Sequence, residues 1–355
     1  MSKYKGYLIF FMLIITFVTC YVLYNHKFLS NKKTTSKITN ILKEEMKLVY
    51  SSSYIIPYSE IIEVDNGKIS KTHKINSYGI YDIVYDKEKN GFYLPSGYSK
   101  EDYFFTQEKK VIDLQLPQQE STTFLKNEKD YLVLSRNVSL NENLLIVNDH
   151  KYNKQYELKL GSFLKEVASD DKYFYTIEIY GSRPGAKLHV IDRSLGTLST
   201  SIEISGEDIG KKNTIKDIRL NNNEVLIFLD DKIISFNKVS YEKSIHKYPF
   251  TENYVNVIEV KKDAISLISG DPNEGYYVYK IDKGFKVINK KKLDFPHVLM
   301  TIKNTDKYLY VASFNDNENE VIYKFKLDSY EKVGEFKLPN SKDLIMTNFY
   351  VEGQL

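Results

Sequence analysis

The feature that most limits what this chain can become is a hairpin turn that returns at a nearly fixed interval. An Asp or Asn stands just after an apolar strand-like run, and a second run leaves it, at Asp65 (IEVDNGKI), Asp149 (IVNDHKYNKQY), Asp192 (VIDRSLGTL), Asn237 (SFNKVSYEKS), Asp282 (KIDKGFKV) and Asp328. Read from the last turn backwards, the intervals are 46, 45, 45, 43 and 84 residues. The last is a doubled interval, and the missing member falls at Thr106, where YFFTQEKKVIDLQLP has the same strand-turn-strand shape without the Asp. Asp and Asn favour turns in any β protein, but here the strand before each turn recurs in register as well. A period of just over forty residues is the length of one four-stranded propeller blade.

Residues Asp306 to Pro339 show what one unit looks like. Tyr308–Ser313, Val321–Leu327 and Val333–Leu338 each alternate large apolar with small or polar residues, as half-buried strands do. A single meander of this kind cannot bury both its faces and needs neighbours of the same kind. A further run recurs roughly 15 to 20 residues before the turns: Tyr131–Ser135 (YLVLS), Tyr173–Ile177 (YFYTI), Val225–Leu229 (VLIFL), Ala264–Ile268 (AISLI) and Tyr308–Ala312 (YLYVA). Most of these runs follow a short polar turn. With this strand after an Asp or Asn turn, and with the following "I-D" strand end, the chain resembles bacterial YVTN-type β-propeller repeats over residues 53 to 355. The resemblance implies an architecture and carries over no catalytic residue.

Six full units read 78–117, 122–160, 164–205, 214–250, 254–295 and 299–339. Two pieces remain: 53–75, which has outer strands but no inner one, and 344–350 (LIMTNFY), a lone strand. Together they make a seventh blade, and pairing the C-terminal strand into the first blade removes the edges an open array would expose. The expected fold is therefore an all-β, seven-bladed propeller over 53–355 with ring closure by the C-terminal strand; six and eight blades are the alternatives. The chain has no Trp, which argues against WD-dipeptide repeats and against quinone-cofactor propellers that dock blades through Trp motifs. Fifty Lys and Arg against 47 Asp and Glu leave a net charge of +3, too little for a nucleic-acid track.

Ahead of the propeller, Tyr7 to Tyr24 (YLIFFMLIITFVTCYVLY) form an uncharged stretch of 18 residues preceded by Lys3 and Lys5. As a helix this is long enough to cross a hydrocarbon core of about 30 Å. It reads as an uncleaved transmembrane signal anchor, with residues 1–6 as a cytoplasmic tail. The rival reading is a lipoprotein signal in which Cys20, the only cysteine, takes a lipid; Phe17-Val18-Thr19 departs from the lipobox, and Tyr21 to Tyr24 keep the run apolar where a processed lipoprotein turns polar. Flanking lysines are nearly balanced, but long downstream domains translocate largely regardless of charge. The propeller is accordingly placed outside the cytoplasmic membrane of a bacterium, on a single-pass anchor. Residues 25–52 read as a stalk, within which Ser36 to Val49 carry Ile38, Ile41, Leu42, Met46 and Val49 at helical spacing, so that a short amphipathic helix is a candidate alongside a solvated linker.

If strands A to D run outwards in each blade, the B-to-C loops and the D-to-A connections emerge on one face. The longest loops lie there: 95–100 (PSGYSK), 136–143 (RNVSLNEN), 180–187 (YGSRPGAK), 269–275 (SGDPNEG) and 315–319 (NDNEN). Loops on a rigid scaffold are where binding residues concentrate, so the candidate binding residues are Tyr98, Arg136, Tyr180, Arg183, Asp271, Glu274 and Asp316. For each of them a plain solvated loop residue is the competing reading. No HExxH, CxxC, G-x-S-x-G, Walker loop or G-x-G-x-x-G occurs. Asp316, Glu318 and Glu320 alternate as in a calcium loop but lack its Gly and its distal Glu. No catalytic residue, metal or cofactor is assigned. The sequence points to a binding or scaffolding module for an envelope protein or small ligand. The alternative is a propeller enzyme of the lactonase or lyase kind with its site in the central channel, which would need convergent ionisable groups on inner strands read here as mostly Val, Ile, Leu, Tyr and Phe.

Overall fold

The computed structural model describes residues 42–354, apart from 53–55, 100–101, 107, 109–110, 114–120, 129, 140, 182, 211–213, 251–254, 297, 315–319, 340 and 342. The proposed anchor over 7–24 and Cys20 lie outside the described residues. Among the described residues, no helix is long and apolar enough to cross a membrane.

Among the described residues, twenty-eight strands form seven four-stranded antiparallel sheets. The first sheet holds β1 (Met46–Ser51), β2 (Ser59–Asp65) and β3 (Lys68–Ile75), with β28 (Ile345–Val351) at its inner edge. The second is built from four short strands, β4 (Val84–Asp86), β5 (Gly91–Leu94), β6 (Tyr103–Phe105) and β7 (Val111–Asp113). The third holds β8 (Ser121–Asn127), β9 (Leu132–Ser139), β10 (Glu142–Asn148) and β11 (Lys154–Leu160), and the fourth β12 (Phe163–Ser169), β13 (Tyr173–Ile179), β14 (Gly185–Asp192) and β15 (Thr197–Ser205). The fifth holds β16 (Asp217–Asn221), β17 (Glu224–Phe228), β18 (Lys232–Asn237) and β19 (Lys243–Lys247). The sixth holds β20 (Val255–Val260), β21 (Ala264–Asp271), β22 (Gly275–Asp282) and β23 (Val287–Lys292), and the seventh β24 (Val298–Asn304), β25 (Tyr308–Phe314), β26 (Glu320–Lys326) and β27 (Lys332–Lys337). Together they make an all-β, seven-bladed propeller.

The buried apolar side chains of the described residues fall into seven clusters, one at each junction between successive blades. Leu226, Phe228 and Ile233 of the fifth blade, for example, meet Val257, Leu267 and Ile281 of the sixth. Period-2 alternation explains why: each sheet presents one apolar set to the blade before it and another to the blade after it. The smallest cluster lies between the second and third blades, where three- and four-residue strands supply little more than Tyr93 and Phe104.

Two sequence expectations are corrected here. The helical spacing across Ser36–Val49 does not make a helix at its end, because Met46–Ser51 is strand β1, paired with β2 on one side and β28 on the other. Met46, Leu48 and Tyr50 pack against Tyr310 and Ile322 of the seventh blade, while Val49 points the other way onto Ile80 and Ile83. Alternation, not helical spacing, is the pattern that gets buried, and the propeller starts at Met46 rather than at residue 53. The second correction concerns which strands lie innermost. YLVLS, VLIFL and their equivalents fall in β9, β17 and their counterparts, second from the inner edge. The true inner strands are those such as DIRLN in β16, and β8, β12, β20 and β24 among them are interrupted by bulges. A bulge releases the ladder and sharpens the twist, and it also blurs the alternation by which a strand is read.

Three of the recurring Asp and Asn residues share one task. Asp192 Oδ1 accepts from the backbone N–H groups of Ser194 and Leu195, Asn237 Oδ1 from those of Val239 and Ser240, and Asp149 Oδ1 from those of Lys151 and Asn153. Each side chain thereby closes the C-to-D hairpin that follows its strand. A second device in the same turns has no Asp-like marker in the sequence. Tyr152, Tyr241, Phe285 and Tyr330 sit in the left-handed region, with φ of 68, 58, 58 and 54°, which bulky residues seldom adopt. All four pack against the preceding blade. In the fourth blade the equivalent residue is Gly196 (φ 62°), where a Cβ would run into the ring of Tyr156 from the third blade.

Candidate functional site

Strand order puts two kinds of connection on opposite faces. The A-to-B turns and C-to-D hairpins share one face, the hairpin face; the B-to-C loops and D-to-A connections share the other, the loop face. The loop face exposes large apolar side chains where A strands begin and B strands end. Phe163, Val298 and Ile345 stand at the starts of β12, β24 and β28; Val138 and Phe314 stand at the ends of β9 and β25; Tyr98 lies in the loop after β5. Ile345 is 64% exposed and Tyr98 48%. Val298 and Phe314 are direct cross-strand partners, so at least this pair forms one continuous apolar surface. Single exposed apolar residues are ordinary on any protein; six of the exposed ones stand along the rim of the loop face, at strand ends and in one loop, while Leu195 and Val239 are exposed in hairpin turns on the other face.

The sequence-derived candidates divide among several roles. Tyr98 is on this exposed rim, its ring against the backbone of Gly79 of its own blade. Tyr180 and Arg183 come together: the guanidinium lies 4.4 Å from the centre of the Tyr180 ring, and the Tyr180 hydroxyl donates to Glu203, which also pairs with Lys187 Nζ at 3.1 Å. That hydroxyl holds the Glu203 carboxyl below its ordinary range, and Glu203 in turn raises Lys187. Asp271 closes its own loop by accepting from the N–H groups of Asn273 and Glu274. Glu274 is exposed, and its carbonyl accepts from Lys292 Nζ. Asp316 lies outside the described residues.

Arg136 is not a surface residue. Its side chain is buried, and Nη2 donates at 2.7 Å to Asp102 Oδ2, which also accepts from Thr122 Oγ1 at 2.6 Å, while Asp102 Oδ1 accepts from the Ser96 N–H at 3.0 Å. Burial pushes the Asp102 carboxyl up, against the opposing pull of Arg136 and the hydrogen bonds. The group ties the 95–102 loop of the second blade to β9 of the third, at the junction with the thinnest apolar core. It is a brace beneath the loop face. Removing one partner of such a buried pair typically costs about 3–5 kcal/mol.

Two groups were missed by the sequence reading. On the fourth blade, Glu178 accepts from the Ser162 N–H at 2.9 Å and contacts His189 Nε2 at 2.8 Å, and His189 Nδ1 lies 2.8 Å from Ser201 Oγ. Burial keeps the imidazole pKa low, against the pull of Glu178. The order carboxylate, imidazole, hydroxyl is that of a nucleophile relay. However, the same carboxylate-imidazole contact recurs in the first blade as Glu63–His73 at 2.5 Å, where Phe105 packs edge-on against the ring at 4.8 Å. The shared element is a cross-strand bond inside a blade, and we read both as structural. The other group lies on the inner wall. Asp82 of the second blade accepts from Asn348 of β28 at 2.7 Å and lies 3.7 Å from Lys303 of β24, while Lys126 of β8 pairs with Glu166 of β12 at 3.4 Å. The wall is therefore charged, contrary to the apolar inner strands expected. Among the described residues, no three His, Cys, Asp or Glu side chains come together as a metal site.

These features define a seven-bladed propeller with one loop-rich, partly apolar face. No family model matches the chain. It is 23% identical over 258 residues, covering 68% of this chain and 71% of the other, to "Uncharacterized protein YeeG" of Bacillus subtilis (strain 168). Among solved structures, apo AztD from Citrobacter koseri superposes with a TM-score of 0.54 at 10% identity over 88% of this chain and 99% of that one. Virginiamycin B lyase from Staphylococcus aureus gives 0.55 at 14% identity over 76% and 86%. Likeness at these identities shows a shared fold and nothing of function.

Proposed function

We propose that this protein is an extracytoplasmic binding or scaffolding propeller, held at the cell membrane by residues 7–24, that engages an envelope protein through its loop face. The carrying observation is the rim of exposed apolar side chains, Tyr98, Val138, Phe163, Val298, Phe314 and Ile345, on that face. Apolar and aromatic anchors set in polar surroundings are the composition of protein-binding patches. We read the β28–β1 pairing as the closure of the ring, and we keep membership among the YVTN-type repeats as part of the same proposal, on the strand and turn residues that resemble them. The test is site-specific photocrosslinking in cells of the full chain. Probes at Phe163 and Ile345 are expected to give the same protein adduct, and a probe at Val239 on the hairpin face none. Adducts from Val239 alone would refute the assignment of the face, and protection of the propeller from protease added to intact protoplasts would refute its placement outside.

A second reading, an enzyme of the lactonase or lyase kind, is favoured by one observation: Asp82, Lys303 and Asn348 converge from three successive blades on the inner wall. If it holds, Asp82→Asn abolishes turnover of a lactone panel and leaves the crosslinks from the rim in place.

A further inference from the structure

The junction between the fifth and sixth blades departs from its counterparts on the hairpin face. Between the second and third blades, Tyr152 lies against Tyr93 of β5, ring centres 6.0 Å apart. Between the sixth and seventh, Tyr330 is buried in one cluster with Ile258 and Ile268 of the sixth blade. In both, a turn tyrosine packs against the preceding blade. At the fifth and sixth blades the equivalent residue is Phe285, which has no hydroxyl and stacks instead on His246 of the outer strand β19, ring centres 3.7 Å apart and 10° from parallel. The turn aromatic of this blade thus lies over the outer strand of the preceding one.

A cleft of about 300 Å³ opens there, beside the A-to-B turn Asn221-Asn222-Asn223 and the hairpin residues Asn237, Asp282 and Phe285. This is the lower end of the range for small-molecule sites. Asn221 Oδ1 is enclosed, and no described donor reaches it. An enclosed carbonyl oxygen without a donor costs about 1–3 kcal/mol. Glu224 and Asp282 line the same cleft with carboxylates, while its one lysine, Lys283, is paired with Asp263 at 3.1 Å. Phe285 and Ala264, both half-buried, supply apolar surface. Several acceptors around an apolar patch match the hydroxyl groups and the C–H face of a sugar, and the carboxylates disfavour an anion.

We propose that this cleft is a binding site for a neutral, hydroxyl-rich ligand of mono- or disaccharide size, one of whose hydroxyls donates to Asn221 Oδ1. The site is on the face opposite to the one assigned to a protein partner and stands or falls separately from it. The experiment uses the purified full chain in detergent, with isotope-labelled asparagine, titrated with glucose, N-acetylglucosamine, sodium acetate and trimethylammonium chloride. The two sugars are expected to shift the side-chain amide resonances of Asn221, Asn222 and Asn223 saturably, and the acetate and trimethylammonium salts not to. Phe285→Tyr adds a hydroxyl to the cleft wall and is expected to weaken sugar binding at least about tenfold in a protein that still folds. Asn221→Leu, with the acceptor removed, is expected to weaken it by about tenfold, the worth of one such hydrogen bond. The proposal is overturned if neither sugar saturates the shifts, if acetate or trimethylammonium produces them equally, or if a folded Phe285→Tyr protein binds the sugars as wild type does.

Discussion

The two faces of the propeller are built from the same strands and use their connections differently. On the hairpin face the turns are short, closed by Asp or Asn side chains, and carry aromatic residues driven into the preceding blade. On the loop face the connections are longer, and exposed apolar side chains stand at strand ends rather than in turns, where Leu195 and Val239 of the hairpin face are exposed. Where turns lock neighbouring blades together, substitution acts on stability. Where side chains project from an already rigid frame, substitution is expected to act on recognition.

That contrast can be broken at several levels. The largest effect is expected from deleting Leu344 to Leu355, which removes β28 and with it the fully buried Met346, Phe349 and Val351. Losing three such side chains and the edge they cover exceeds the whole stability of a typical domain, about 5–15 kcal/mol, so neither face should survive; a truncated protein that melts cooperatively at the wild-type temperature refutes the pairing scheme. Next, Tyr330→Ala on the hairpin face should destabilise by about 3 kcal/mol in a urea titration. Ile345→Ser on the loop face should change it by less than about 0.5 kcal/mol. Equal losses would erase the distinction between the faces.

A smaller effect is expected from pH. Burial holds the folded-state pKa of His189 below its ordinary value of about 6.5. The unfolded chain therefore takes up the proton first, so the contribution is fully present above that value and is lost as pH falls from it towards the folded pKa. Unfolding free energy should drop by about 1 kcal/mol between pH 7.5 and pH 5.5, and His189→Gln should flatten that part of the profile. A profile unchanged by the substitution would place the titration elsewhere.

Much of this architecture was legible because its punctuation is local. An Asp that closes its own hairpin needs only the next few residues, so Asp149, Asp192 and Asn237 announce blades without any knowledge of the rest of the chain. What was not legible depends on partners far away. Strand β1 carries Lys47 and helical spacing upstream, and what makes it a strand is β28, with Thr347 Oγ1 donating to the Val49 carbonyl across 298 residues. Arg136 looked like a loop cation because it sits near a strand end, and its burial follows from Asp102 in the neighbouring blade. The inner strands were overlooked for a different reason. Bulges interrupt their alternation, and charges such as Asp217 and Arg219, paired with each other at 2.9 Å, make the segment read as a linker. The turn aromatics carry no Asp-like flag, since nothing local says that Tyr241 or Phe285 will take a left-handed backbone.

The pairing of β1 with β28 has a consequence for how the molecule comes into being. Strand β1 is made early, yet its inner neighbour is synthesised some three hundred residues later. Until then it presents a bare backbone edge flanked by Leu48 and Tyr50, side chains that end up fully buried. Sequence separation of this size slows folding, and unsatisfied edges of this kind recruit other chains. The newborn chain thus passes through a vulnerable interval whose length is set by the time needed to produce its last strand, and any helper that shields this protein should act on its first blade.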